Sequence, residues 1–160
     1  MIRSVLQKPK KYYLVTAMIL LALLHLSFTT GADEQQLLDW SNKCFSESYD
    51  PSGDVKLKKY DWTLTPDAFI RLRKTYDKGK EEYYSFQLHR LSDMSYIGNA
   101  AGGTLKFKTI ADDIIVQTYN DRKGDIDSMA TELDIPVKNM QPERIDSLQM
   151  VIKYFKDKGL

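Results

Sequence analysis

The sequence contains few of the side chains on which most catalytic sites depend. Its 160 residues include one cysteine, Cys44, and two histidines, His25 and His89. A lone cysteine cannot form an intramolecular disulfide bond, so burial has to hold the fold together, and we expect Cys44 itself to be buried. Residues 33–160 also lack the three or four cysteine and histidine ligands of a zinc site. We therefore predict no metal site and no cofactor.

Motifs for nucleophilic catalysis and phosphate binding are missing as well. No Gly-Xaa-Ser-Xaa-Gly motif surrounds a serine, and no Gly-Lys-Ser/Thr motif follows the glycines at positions 98, 102 and 103. Asp121, Asp125 and Asp127 flank a turn, but their spacing does not fit a helix-loop-helix calcium site. Aspartate is common in turns, so we interpret these three residues as turn residues. The sequence thus predicts no catalytic residue.

The sequence has no large excess of positive or of negative charge. Residues 1–32 contain four basic and no acidic side chains, which leaves 19 of the 23 basic residues against all 22 acidic ones in 33–160. The formal charge of 33–160 is therefore −3. Proteins that bind nucleic acid without sequence preference carry a cationic excess over the whole domain. We expect no nucleic-acid partner.

Only one long apolar run is present, from Leu14 to Phe28, and it follows a basic start. It ends at Thr30-Gly31-Ala32, the small-residue exit that is typical of a secretory signal peptide. Its fifteen residues are short for a membrane span, which needs about 20, so we predict that 1–32 is a signal peptide. The alternative is an uncleaved N-terminal anchor. Either way the remaining chain is exported, and it is periplasmic, secreted or anchored in the inner membrane.

The composition of residues 33–160 fits a single exported domain. Three segments have helical patterns. The first is 33–46, the second begins at Thr65-Pro66 and ends at Gly79, and the third begins at Pro142. The third has one apolar stripe, made of Ile145, Leu148, Val151, Ile152 and Phe155.

Strands are predicted where apolar and polar residues alternate. These segments are 55–62, 82–97, 105–109, 114–119 and 129–137. Ala111-Asp112-Asp113 is predicted to be a hairpin turn. The strand that contains Pro136 should lie at a sheet edge or have a bulge there, because proline cannot donate to a ladder. Short turns between consecutive strands favour antiparallel pairing. The predicted fold is therefore α+β, a single domain with an antiparallel sheet of about four to five strands and helices packed on one face.

The polar residues that alternate with the apolar ones along the predicted strands suggest a binding surface. It combines lysines with tyrosines, and tyrosine gives contact area at little entropic cost. We predict a binding face made of Lys56, Lys58, Tyr83, His89, Lys106, Lys108 and Tyr119. A solvated sheet face, on which lysines only provide solubility, is the simpler interpretation.

The leading functional hypothesis is an exported, non-enzymatic binding or adaptor domain. Its partner would be an envelope protein, a glycan or a small apolar ligand held on the sheet face or in a groove between sheet and helix. A second hypothesis is a small envelope hydrolase that uses His89 with a serine and an acidic residue. A third is a membrane-tethered subunit of an envelope complex, which would contact the membrane only through an uncleaved N-terminal segment.

Overall fold

The structure, a computed structural model, describes residues 33–158. Of these, residues 38–158 belong to one compact unit and the helical residues 33–37 to another. The predicted signal peptide or anchor, 1–32, lies outside the described residues. Within the described part, no helix is long and apolar enough to span a bilayer.

The described chain contains two helices and eight strands. In chain order they are α1 (33–48), β1 (Leu57–Leu64), β2 (Phe69–Tyr76), β3 (Glu81–Gln87), β4 (Leu91–Gly98), β5 (Gly102–Thr109), β6 (Ile114–Tyr119), β7 (Asp127–Ala130), β8 (Glu132–Lys138) and α2 (Pro142–Lys158). A five-stranded sheet has the order β1-β2-β3-β6-β7, a three-stranded sheet has the order β4-β5-β8, and all neighbours are antiparallel. The predicted α+β class with antiparallel strands is confirmed, with the strands divided between two sheets.

The helix predicted from Thr65 to Gly79 is wrong, because this segment is strand β2 and its turns. Thr65 closes a tight turn, in which its N–H donates to the carbonyl of Phe69 at 2.9 Å and its Oγ1 accepts from the N–H of Phe69 at 3.0 Å. Ala68 takes the left-handed conformation that this turn requires, with φ +59°. In β2 the alternate residues Ile70 and Leu72 are buried. Pairing with two neighbouring strands outweighs the local helical signal.

The predicted hairpin turn at Ala111-Asp112-Asp113 is also wrong. The segment connects β5 in one sheet to β6 in the other, so these strands do not pair. The predicted strand 129–137 is interrupted in the same way at Thr131, where the chain returns to the three-stranded sheet. The N–H of Thr109 donates to the carbonyl of Thr131 at 2.9 Å, which ties the two crossings together. Pro136 lies on the edge strand β8, as predicted.

An aromatic cluster joins both sheets and α1 in one core. Phe45 of α1 stacks on Trp62 of β1 with ring centroids 4.2 Å apart. Phe107 of β5 lies 6.5 Å from Trp62 and 5.5 Å from Phe86 of β3. Burial of these rings supplies much of the apolar area that stabilises the fold.

The terminal helix α2 completes the core. It begins at Pro142, as predicted, and buries Leu148, Val151, Ile152 and Phe155 of the predicted stripe. Cys44 of α1 is 2% exposed, as expected, and the Nε of Arg144 in α2 donates to its sulfur at 3.3 Å. The two helices therefore meet at this buried thiol.

Candidate functional site: a cleft between three turns

A cleft of about 490 Å³ opens at one end of the five-stranded sheet. Three turns surround it, 53–56 before β1, 77–80 between β2 and β3, and 120–123 between β6 and β7. The N–H of Asp77 donates to the carbonyl of Lys56 at 3.0 Å, and the side-chain amide of Asn120 donates to the carbonyl of Gly79 at 3.3 Å. These bonds hold together turns that are far apart in sequence. We refer to this feature as the turn cleft.

Asp54 forms the first part of the cleft floor. Lys74 of β2 lies 2.9 Å from its Oδ2, and the hydroxyl of Tyr49 donates to the same carboxylate. The side chains of Lys74 and Asp54 are only 11% and 16% exposed. Burial by itself would raise the pKa of Asp54, but the hydrogen bonds from Tyr49 and Lys74 outweigh it and leave the pKa below its ordinary value. Asp54 is therefore held as a carboxylate.

Glu82 of β3 forms the second part of the floor. The hydroxyl of Tyr76 donates to Glu82 Oε2 at 2.9 Å, and Lys80 Nζ lies 3.0 Å from Oε1. Lys80 also lies 2.8 Å from Asp121 Oδ2, so one ammonium joins β3 to the turn after β6. Burial, followed by the charge of Glu82, raises the pKa of the neighbouring Tyr84 to about 12. Tyr84, behind Glu82, thus remains a neutral donor at neutral pH.

The rim of the turn cleft is cationic. Lys56, Lys78, Arg122 and Lys123 are all exposed, and none of them forms an ion pair with another described residue. The floor carboxylates, by contrast, are paired with Lys74 or Lys80. One acidic side chain, Asp77, lies on the rim. The charge available to a ligand in solution is therefore mainly positive.

The structure distributes the seven predicted binding residues over several places. Lys56 lines the turn cleft, and Lys58 lies at a bulge in β1. Tyr83 and Tyr119 share the outer face of the five-stranded sheet, as the pairs Tyr83–Gln117 and Glu81–Tyr119 show. His89 is exposed in the short turn Leu88–Arg90. As binding residues they stay a prediction.

The two remaining lysines lie on the other sheet. Lys106 pairs with Asp134 at 3.0 Å, and Lys108 pairs with Glu132 at 3.1 Å, both across β5 and β8. Their charges are therefore matched within the three-stranded sheet. The seven residues do not share one face, because the sheet that the sequence suggested is two sheets.

The surroundings of His89 bear on the hydrolase hypothesis, which needs a serine and an acidic residue beside this side chain. Within the part of the chain that the structure describes, His89 makes no hydrogen bond to a serine, and it does not line the turn cleft. The neighbouring residue Arg90 pairs with the carboxylate of Asp113 at 3.0 Å. The hydrolase hypothesis gains no support from this arrangement.

The three turn aspartates cap backbone and side-chain groups. Asp125 accepts from the N–H of Asp121 at 2.8 Å, Asp121 accepts from the N–H of Lys123 at 2.9 Å, and Asp127 accepts from the amide of Gln117 at 3.1 Å. Among residues 33–158, no group of three or more His, Cys, Asp or Glu side chains is placed to hold a metal ion.

Comparison of the chain with protein-family models, with curated proteins and with solved structures finds no match in any of the three.

Proposed function

We propose that the protein is an exported, non-enzymatic binding domain and that the turn cleft holds an anionic ligand. The observation that supports this proposal is a contrast within residues 33–158: the carboxylates of the floor form ion pairs there, and the cations of the rim do not. A ligand carboxylate or phosphate that enters the cleft meets cations without having to break an existing ion pair. Export rests on the predicted signal peptide, 1–32.

The size of the cleft favours a sugar unit or a short peptide segment. Pockets for small ligands measure about 300–1,000 Å³, and this one measures about 490 Å³. The hydroxyl of Tyr76 and the carboxylates of Asp54 and Glu82 offer hydrogen-bond partners for hydroxyl or amide groups. An acidic glycan or an acidic segment of an envelope protein combines such groups with negative charge.

Electrostatic attraction at the rim would mainly raise the rate at which the ligand associates. Converging exposed cations raise association rates, and salt screens their effect over about 8 Å at physiological ionic strength. Each exposed pair contributes little by itself. Binding should therefore be moderate in strength and clearly dependent on salt.

The test compares two double charge reversals in binding to polygalacturonate and to polyglutamate, measured by calorimetry. Lys78→Glu with Lys123→Glu changes the rim, and Lys106→Glu with Lys108→Glu makes the same chemical change on the other sheet. We expect the rim variant to weaken binding about 2- to 30-fold at low salt, the range that two exposed pairs give, and the other variant to change it less than about twofold.

The opposite result would place the anion site outside the turn cleft. If the Lys106/Lys108 variant lost binding and the rim variant kept it, the anion site would lie on the three-stranded sheet. Equal binding by both variants and the unmodified protein would remove the anionic ligand from the proposal. The loss in the rim variant should also fade in high salt, because exposed charges are screened.

A further inference from the structure

The edges of the two sheets differ in how they are protected. An edge strand exposes unpaired N–H and C=O groups that another chain can bind. At the β1 edge, the side-chain amide of Asn42 in α1 donates to the carbonyl of Leu64 at 3.1 Å and its oxygen accepts from the N–H of Leu64 at 2.7 Å. At the β8 edge, the N–H of Asp50 donates to the carbonyl of Pro136 at 3.0 Å. Both edges are therefore partly closed by the chain itself.

The β4 edge is long and has no such cover. Among the described residues, the backbone groups of 93–97 make hydrogen bonds only with β5. The strand contains neither lysine nor proline, the residues that commonly protect an edge. The remaining edge strand, β7, has only four residues. Strand β4 is thus the edge best suited to pair with an added strand.

A groove runs beside β4, between this strand and α2. It consists of two adjoining clefts of about 430 and 250 Å³ that share Met94 and Gln149. Its apolar lining comes from β4, α2 and the segment between β8 and α2, and includes Leu91, Met94, Met140, Ile145 and Ile152. We refer to it as the strand groove. It shares no lining residue with the turn cleft.

The charges along the strand groove indicate what an occupant should carry. At the Leu91 end, Lys153 pairs with Asp157 at 2.8 Å, and Lys156 and Asp93 balance each other in charge. At the Gly98 end, Asp146 is the one charged side chain in the lining, and it forms no ion pair with another described residue. A basic side chain of the occupant would complement Asp146.

We propose that β4 and the strand groove accept an extended segment of a partner polypeptide as an added strand. Its backbone bonds to the free groups of 93–97, which is the mode called β-augmentation. Alternate side chains of a strand point to the same face, so every second residue of the segment enters the groove against Met94 and Ile145. A basic residue of the segment pairs with Asp146. This site is independent of the anionic ligand proposed above.

The test begins with selection of random peptides against the protein produced from the complete chain. We expect the enriched peptides to alternate apolar and polar residues and to contain a lysine or arginine. Hydrogen exchange of the labelled protein should then slow at the amides of 93–97 when such a peptide is bound. Asp146→Lys should weaken binding about fivefold, and a peptide with glutamate in place of its basic residue should recover that loss.

Asp77→Lys is the matched control, because it makes the same change at an exposed aspartate of the turn cleft. It should leave the affinity for the selected peptides unchanged. The proposal is overturned if no peptide is enriched, if Asp146→Lys binds as the unmodified protein does, or if slowed exchange is confined to α2. The last result would mean that the groove takes an apolar ligand without strand pairing. None of these outcomes would affect the anion test at the turn cleft.

Discussion

Asp54 offers the most direct test of how the turn cleft is built. Its carboxylate accepts hydrogen bonds from Tyr49, which follows α1, and from Lys74 of β2. The hydroxyl of Tyr76 lies 3.3 Å away. One side chain therefore connects the turn before β1 to two other parts of the fold. Replacing it by asparagine keeps the shape and removes the charge.

The size of the effect follows from the bonds that are lost. A hydrogen bond to a charged group contributes about 1.5–3 kcal/mol, and removing one member of a buried ion pair costs about 3–5 kcal/mol. The asparagine oxygen can still accept from Tyr49, while Lys74 loses its counter-ion in a largely buried position. We expect Asp54→Asn to lower the free energy of unfolding by about 2 kcal/mol and Asp54→Ala by about 3–5 kcal/mol.

The assay is urea unfolding followed by tryptophan fluorescence, with Asp93→Asn as the matched control. Asp93 is exposed in β4 and has no ion pair among the described residues, so its replacement should change stability by less than about 0.5 kcal/mol. If Asp54→Asn were as stable as this control, the carboxylate would not hold the floor together, and the reasoning about the turn cleft would be wrong.

The pH dependence gives an independent check of the same bond. The pKa of Asp54 is lower in the folded protein than its ordinary value of 3.8. Its stabilising effect is therefore complete well above 3.8 and is lost as the pH falls from that value through the lower pKa of the folded protein. The stability difference between the unmodified protein and Asp54→Asn should be largest near about pH 6 and should shrink below about pH 4. Other carboxylates titrate in both proteins, so the difference reports Asp54.

Two further predictions concern the core. Phe155 of α2 is 1% exposed, so Phe155→Ala should lower the free energy of unfolding by about 3–5 kcal/mol. Met150 on the same helix is 67% exposed, so Met150→Ala should lower it by less than about 0.5 kcal/mol. Equal melting temperatures for the two variants would contradict the packing described above. Cys44 should react slowly with a thiol reagent until denaturant is added, because burial protects its sulfur, and rapid labelling of the native protein would show that this part of the helix opens.

The elements that could be predicted from sequence are those in which local pattern and tertiary environment agree. Helix α2 has an apolar stripe, a proline at its start and lysines near its end, and all of these favour the same structure. Pro136 excludes a central position in a sheet, and β8 is an edge strand. These signals are contained in a few neighbouring residues, so no knowledge of pairing was needed.

The turn cleft could not be found in this way. Phe69, Leu72 and Tyr76 fit a helical spacing, so the helix prediction concealed that Lys74 and Tyr76 project from β2 onto the same face as Glu82. The pairing of Lys74 with Glu82 in the β2–β3 register would have revealed it. Register depends on contacts between strands, and a one-residue shift moves every side chain to the other face.

The floor and the rim of the turn cleft have different physical roles, so mutations can test stability and ligand binding separately. The floor groups Asp54 and Glu82 are tied to Lys74 and Lys80, so changing them alters the fold before it alters any ligand contact. The rim cations are exposed and unpaired within the described residues, so changing them costs the fold little. A binding site needs this division, since a rigid base holds the turns at fixed distances while the charges that meet the ligand remain free. Substitutions that lower stability should therefore map to the floor, and those that lower anion binding at unchanged stability should map to the rim.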